Sequence, residues 1–208
     1  MLDTLRDLLG EISLAEWIAV AFALAYVVLA IRQHVACWAA SIVSSAIFLG
    51  LFWRSGLVMQ ALLQVFYVGM ALYGWWSWRH GEAGEGSALP VSRWPLRRHA
   101  VAIVAIVLVS GLNGRWIAGS EPAITPYVDA LTTWASCFAT WLVARKVLEN
   151  WLYWIVIDLV AAALYFSQGL RATTVLFVVY AFMAVRGYLE WRRDLRGGAR
   201  SEEGSVHA

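Results

Sequence analysis

The sequence predicts an all-α integral membrane protein with seven transmembrane helices in a 3+1+3 arrangement, and three observations predict it. Of the 208 residues, 61% are apolar and only 14% are charged, and the mean hydropathy is +0.65. A water-soluble domain carries about a quarter charged residues, so most of this chain faces lipid or itself. The apolar residues also gather into seven runs, each of the roughly 17–25 residues needed to cross the hydrocarbon core. Finally, the chain aligns with itself, the second and third runs matching the sixth and seventh.

Taken in order, residues 1–14, beginning MLDTLRDLLGEIS, read as a short amphipathic lead-in. No apolar stretch with a small-residue cleavage site stands apart there, so no cleaved signal peptide is expected. The spans fall at 15–31, 36–53, 57–78, 100–118, 126–144, 150–167 and 171–190. The breaks IRQH, RSG, NGRWIAGSEPAITP, ARKVLE and SQGLR are short and polar or contain glycine. One break is long: RHGEAGEGSALPVSRWPLRRH (79–99) is a charged, glycine-rich linker, and 192–208 is a basic, then polar, tail. Cys37 and Cys137 are isolated in or beside apolar runs, which points to packing, and no metal or redox motif is present.

An odd number of crossings puts the termini on opposite sides. Arginine and lysine then choose the direction. Arg32, Arg79, Arg93, Arg97, Arg98, Arg145, Lys146, Arg186, Arg192, Arg193, Arg196 and Arg200 share one face. Only Arg6, Arg54, Arg115 and Arg171 lie on the other, so the expected orientation is N-terminus outside and C-terminus in the cytoplasm.

The internal match has a shift of 113 positions (191 − 78) and needs no gap. It pairs Arg32 with Arg145, Trp38 with Trp151, Gly56 with Gly169, Tyr67 with Tyr180, Gly74 with Gly187 and Trp78 with Trp191. Shared apolar composition supplies chance Leu, Ala and Val matches, but not two tryptophan and two glycine pairs in register. Repeat one is therefore 15–78 and repeat two 126–191, with 100–118 left over as a linker helix. Moving on by four spans restores the same direction, so the repeats are expected to be parallel, related by an axis along the membrane normal.

Polar residues inside the spans locate a candidate pathway. Asn150, Trp154 and Asp158 are spaced i, i+4, i+8 and share one helical stripe. Lipid offers an amide or carboxylate no partner, so such a stripe faces the bundle interior or a wet cavity; the plainer alternative is a hydrogen bond that only glues helices. Ser41 and Ser45 occupy the matching positions of repeat one, so the two walls differ chemically. In the third span Gln64 and Tyr67 lie one turn apart, and Gln60 sits nearer the interface. Trp17, Trp38, Trp53, Trp75, Trp76, Trp78, Trp116, Trp134 and Trp191 fall near span ends and read as an interfacial aromatic belt. Trp154 lies a turn inside its span, where its face can stack on a planar heterocycle.

Several classes are excluded. The only lysine, Lys146, is in a loop, so a retinal Schiff base has no attachment point. His34, His80, His99 and His207 all fall outside mid-membrane, which removes a histidine-based metal site or proton relay. No P-loop is present, and no nucleophile–base pair can be assembled from the deep residues.

ALLQVFYVGMALYGWWSW, together with PYVDALTTWASCFATWLVARKVLENWLYWIVIDLVAAALYFSQGL and its ARKxxENWxxWxxxD core, resembles the PnuC family of bacterial vitamin transporters, from about Glu16 to Trp191. The resemblance implies a SWEET-like 3+1+3 fold with parallel repeats. It also implies uptake of nicotinamide riboside by facilitated diffusion across the bacterial inner membrane, with trapping by cytoplasmic phosphorylation. By the same resemblance Asn150, Trp154 and Gln64 contact the substrate; Tyr67 and Asp158 are added from their position. No catalytic residue, metal or cofactor is expected. The expected partners are the small-molecule substrate and the bilayer, not nucleic acid, and a homo-oligomer stays open. Relatives of this fold carry thiamine or riboflavin, which join a flat heterocycle to a polar portion in the same way. A phosphate would call for an arginine or helix N-terminus in the pathway, and no arginine falls deep in a span, so the riboside is favoured over the mononucleotide. Outside this class, the WRRDLRGGAR tail supports only a receptor or scaffold, and reads more simply as an orientation signal in contact with headgroups.

Overall fold

In the computed structural model, residues 13–56, 58–81, 89–118, 124–167, 169 and 171–206 are described, with side chains omitted at 172 and 198–206. Among them are seven helices: α1 Leu14–Ile31, α2 Ala36–Arg54, α3 Val58–His80, α4 Leu96–Ala118, α5 Thr125–Ala144, α6 Asn150–Ser167 and α7 Arg171–Val206. Local chemistry sets the starts of two of them. Ser13 and Glu16 form a capping box on α1, with Ser13 N donating to the Glu16 carboxylate at 2.7 Å. Pro126 sits in the first turn of α5, where its missing N–H costs nothing.

Among the described residues, six helices are long and apolar enough to cross a membrane; α5, at 20 residues, is more polar than these. Its polarity is hidden instead. Ser136 Oγ donates to Thr132 O at 2.7 Å and Thr140 Oγ1 to Ser136 O at 2.8 Å, and α3, α4 and α6 surround the helix. Two sequence boundaries also move. The linker helix begins at Leu96 rather than 100, and α7 runs on through the basic tail to Val206. The lead-in at 1–12 lies outside the described residues.

Helices α1–α2–α3 pack in succession, as do α5–α6–α7, while α4 packs mainly on α5 and meets α6 where the His99 and Tyr153 rings touch. The two groups meet at α3 against α5 and at α7 against α1. Applying the shift found in the sequence to one of these interfaces gives the other. The correspondence reaches single atoms: Trp78 Nε1 donates to Val143 O at 3.1 Å, and its counterpart Trp191 Nε1 donates to Ala30 O at 3.1 Å. Val143 is itself the counterpart of Ala30.

The neighbourhood repeats as well. The Trp38–Trp78 and Trp151–Trp191 rings both meet edge to face with centroids 5.4 Å apart, and Trp78 and Trp191 approach across the interface at 6.1 Å. Gln33 and Lys146, in the turns closing α1 and α5, hold φ of 54° and 48°; Gly56 and Gly169 follow at 73° and 78°. Two non-glycine residues in left-handed geometry at matching positions mean that the same tight turn is used twice.

The tryptophan belt needs correction. Trp17, Trp53, Trp76, Trp116 and Trp134 are exposed, as a belt requires. Trp38, Trp78 and Trp191 are fully buried, because each indole fills the space between two helices. This cluster closes the end of the bundle that bears Arg32, Arg79, Arg145 and Arg192, termed the basic end below. Lys146, in the turn after α5, places Nζ 4.6 Å over the Trp78 ring, and burial pushes its pKa below the ordinary lysine value.

The end of the long linker is a strap across the α5–α6 turn. Ser92 N donates to Lys146 O and Leu148 N to Ser92 O, both at 2.9 Å. Arg93 Nε then meets Glu149 Oε1 at 3.0 Å, and Trp94 N donates to Glu149 Oε2 at 3.2 Å.

Gly74 and Gly187 let this cluster close. A Cβ at Gly187 would lie 2.6 Å from Trp151 Cδ2, and one at Gly74 would collide with the Trp38 ring. Gly74→Ala and Gly187→Ala are each expected to destabilise by about 1–3 kcal/mol, the usual cost of overpacking. Gly50, on α2 with open space at its Cβ position, is the control: Gly50→Ala should be neutral or stabilising by up to about 1 kcal/mol. Thermal unfolding of the three variants in detergent checks the opposite signs.

Candidate functional site

Two adjoining cavities lie between the helix groups. The larger, about 360 Å³, is lined by Ser41, Ser44, Ser45 and Phe48 of α2 and Gln64 and Tyr67 of α3, with Ala23, Tyr26 and Thr140 beside them. Trp154, Phe177 and Tyr180 close it from α6 and α7. The smaller, about 170 Å³, shares Tyr26, Trp154, Phe177 and Tyr180, adds Asp158, and reaches Trp151 and Ala184 towards the tryptophan cluster. The larger cavity alone falls within the roughly 300–1,000 Å³ of small-molecule sites.

Helix periodicity explains which side chains arrive there. On α3, Gln64 and Tyr67 turn inward while Leu62, Val65 and Phe66 are exposed. On α6, Trp154 and Asp158 turn inward while Val156 and Leu159 are exposed. Ser44 is committed to structure, its hydroxyl donating to Ala19 O at 2.9 Å and tying α2 to α1. Asp158 is 5% exposed.

Six pairs related by the internal shift face this space: Val27 with Thr140, Ala30 with Val143, Ser41 with Trp154, Ser45 with Asp158, Gln64 with Phe177 and Tyr67 with Tyr180. The space therefore lies between the two repeats and is bounded by equivalent positions of both. Its chemistry is divided. One wall offers two hydroxyls and an amide; the other offers an indole, a carboxyl group and a phenyl ring. Tyrosines stand on both sides. No arginine or lysine is among the residues lining either cavity.

Of the residues singled out in the sequence, Gln64, Tyr67, Trp154 and Asp158 line this space, and Asn150 does not. Asn150 is wholly buried at the first turn of α6, with Nδ2 donating to Val147 O at 2.7 Å and Oδ1 lacking a hydrogen-bond partner. It lies at the basic end, beyond the inner cavity, where repeat one carries Cys37. Sequence reasoning missed Tyr26, Thr140, Phe177 and Tyr180. The last two were within reach, as the shifted counterparts of Gln64 and Tyr67.

Residues 13–193 match the sequence profile of the family described as nicotinamide mononucleotide transporter. The nicotinamide riboside transporter PnuC of Escherichia coli K12 is 26% identical over 172 residues, covering 70% of this chain and 71% of that one. The riboflavin/roseoflavin transporter RibM of Streptomyces davaonensis is also 26% identical, over 203 residues, covering 93% of this chain and 87% of that one. A solved structure described as the vitamin B3 transporter PnuC superposes with a TM-score of 0.69 at 19% identity, covering 94% of this chain and 87% of that one, and shares the fold.

The inward and outward faces of α3 make different accessibility predictions. With Cys37 and Cys137 replaced by alanine, Gln64→Cys and Ser41→Cys should react with a small water-soluble thiol reagent. Leu62→Cys, two residues away on the lipid face, should not. Equal labelling at Leu62 and Gln64 would mean that this cavity is not the wet face.

Proposed function

The chain belongs to the nicotinamide mononucleotide transporter family, a family of multi-pass membrane transporters matched over residues 13–193, and from that premise we propose that it takes up nicotinamide riboside by facilitated diffusion across the bacterial inner membrane. The observation that carries this reading is the divided cavity: aromatic faces for a flat pyridinium ring, and hydroxyls with an amide for a ribose. Trp154 stacks on the ring, its electron-rich face favouring the ring's positive charge. Gln64 and Tyr67 hydrogen-bond the polar portion. Asp158, one turn deeper on α6, offers the cationic ring a counter-charge. Asn150 acts from the α6 terminus, its unpartnered Oδ1 accepting a hydrogen bond when the substrate reaches the basic end.

Two like-oriented helix triplets, with α4 as the tether between them, account for the mirrored Trp78 and Trp191 bonds. A cavity between two such units suits alternating access by rocking one against the other. The arginine bias supports a cytoplasmic setting for the tryptophan-closed end, where phosphorylation of the product would keep the gradient inward. The riboside is preferred over the mononucleotide because no cationic side chain lines the cavity to meet a phosphate. Riboflavin is the second reading, favoured by the near full-length match to RibM.

In proteoliposomes, labelled nicotinamide riboside should equilibrate without ATP or an ion gradient, and a protonophore should leave the rate unchanged. Accumulation abolished by the protonophore would replace this mechanism with proton coupling. In a binding titration by tryptophan quenching, Trp154→Ala should weaken the riboside by about 1–3 kcal/mol, the usual worth of one base–aromatic stack. Gln64→Leu should cost a similar 1–3 kcal/mol if the amide is a buried partner. Tighter binding of riboflavin or thiamine than of the riboside would overturn the substrate assignment.

Asn150→Cys installs the residue that repeat one accepts at the matching position, so the fold should persist. Transport of the riboside should fall while the melting temperature stays within a few degrees; unchanged transport would remove Asn150 from the site.

A further inference from the structure

A second concavity, apart from the central one, runs between α4, α5 and α6 and encloses about 440 Å³. Its walls are apolar: Leu96, Ile103 and Val107 on α4 face Val156 and Val160 on α6, with Ala135 of α5 at the floor. Several of these are half open to the surroundings, with Ile103 at 49%, Val107 at 54% and Val156 at 61% exposure. Along α4 the groove runs from Leu96 to Val107, roughly 16 Å at about 1.5 Å per residue. That is close to one leaflet of a hydrocarbon core about 30 Å thick.

Apart from Thr132, whose hydroxyl donates within α5, the polar groups of the groove gather at one end. His99, 7% exposed, places Nδ1 3.1 Å from the Tyr153 hydroxyl. His99 Nε2 is buried without a hydrogen-bond partner and lies 3.8 Å from Glu149 Oε2. The Glu149 carboxylate is already neutralised by Arg93 at 3.0 Å. Just outside this end, Arg97 and Arg98 are both exposed in the first turn of α4, and the Arg98 guanidinium lies 5.5 Å over the Trp94 ring.

We propose that this groove seats one anionic phospholipid of the leaflet at the basic end. Its acyl chain lies between α4 and α6, and its phosphate meets Arg97 and Arg98 at the α4 N-terminus. With Tyr153 donating to Nδ1, His99 carries its proton on Nε2 and donates to a glycerol ester oxygen. Three features select this occupant together: an apolar slot one leaflet long, a buried donor lacking an acceptor at its mouth, and two cations where a phosphate would sit. Because α5 and α6 also bound the vitamin cavity, the lipid would buttress those helices from outside.

Native mass spectrometry of the full chain in detergent, supplied with equal amounts of dioleoyl phosphatidylglycerol and dioleoyl phosphatidylcholine, tests this directly. Phosphatidylglycerol should be retained preferentially as a one-to-one adduct. Arg97→Gln and Arg98→Gln should each weaken retention about five-fold, as expected for one basic residue at an anionic surface. Ala135→Phe and Val107→Trp, which fill the slot and leave both arginines in place, should also lose the adduct. Equal retention of the two lipids by the unaltered chain would overturn the proposal. So would a phosphatidylglycerol adduct that survives both slot-filling changes, since the headgroup would then be bound at the surface alone. The readout does not depend on transport, so it stands or falls separately from the substrate assignment.

Discussion

A buried indole N–H is costly without an acceptor, and of the four indoles in this cluster Trp78 and Trp191 have one while Trp38 and Trp151 do not. Carbonyls near the end of a helix, short of the usual i+4 donors, are open to a further one. Trp78 and Trp191 each reach the end of a helix in the opposite group, at Val143 and at Ala30. This reciprocal pair fixes how α3 meets α5 and how α7 meets α1, and hence the position of every side chain lining the space between. The glycines facing Trp38 and Trp151 let those rings pack edge to face beside the bonded indoles.

On that framework, duplication and divergence act at different depths. At the basic end the two halves are close to identical in turn geometry, ring packing and hydrogen bonding. Around the cavity they part: serine faces tryptophan, serine faces aspartate, and glutamine faces phenylalanine. A symmetric frame thus holds an asymmetric interior, and a molecule with one flat end and one polar end has one preferred orientation within it. The linker strap adds a second asymmetry, since Ser92, Arg93 and Trp94 fasten to the α5–α6 turn.

Much of this was legible in the sequence, and what was hidden has physical reasons. Hydropathy and length gave the helices, and an ungapped shift gave the pairing that atomic contacts repeat. Trp154 and Asp158 were placed on one face by helical periodicity, which the structure keeps. Asn150 shares that periodicity but not that outlook, because at the first turn its amide is drawn to the Val147 carbonyl. Periodicity reports a direction around a helix and not which neighbour stands there. For the same reason Trp38, Trp78 and Trp191 passed for interfacial residues: nearness to a span end is visible in sequence, while the helix that covers an indole is not. Tyr26 and Phe177 look like lipid-facing aromatics until their neighbours are known.

The reciprocal tryptophan bonds also carry a consequence for biogenesis. The two partners are separated by 65 residues in one bond and by 161 in the other. During synthesis the first three helices enter the bilayer with the Trp78 indole unsatisfied until α5 follows. The end of α1 stays uncapped by its partner until nearly the whole chain has been made. A chain truncated after α6 would therefore lack the Trp191 indole at the end of α1, where the Ala30 carbonyl would keep only its turn bonds, such as that from Gln33 N at 3.0 Å.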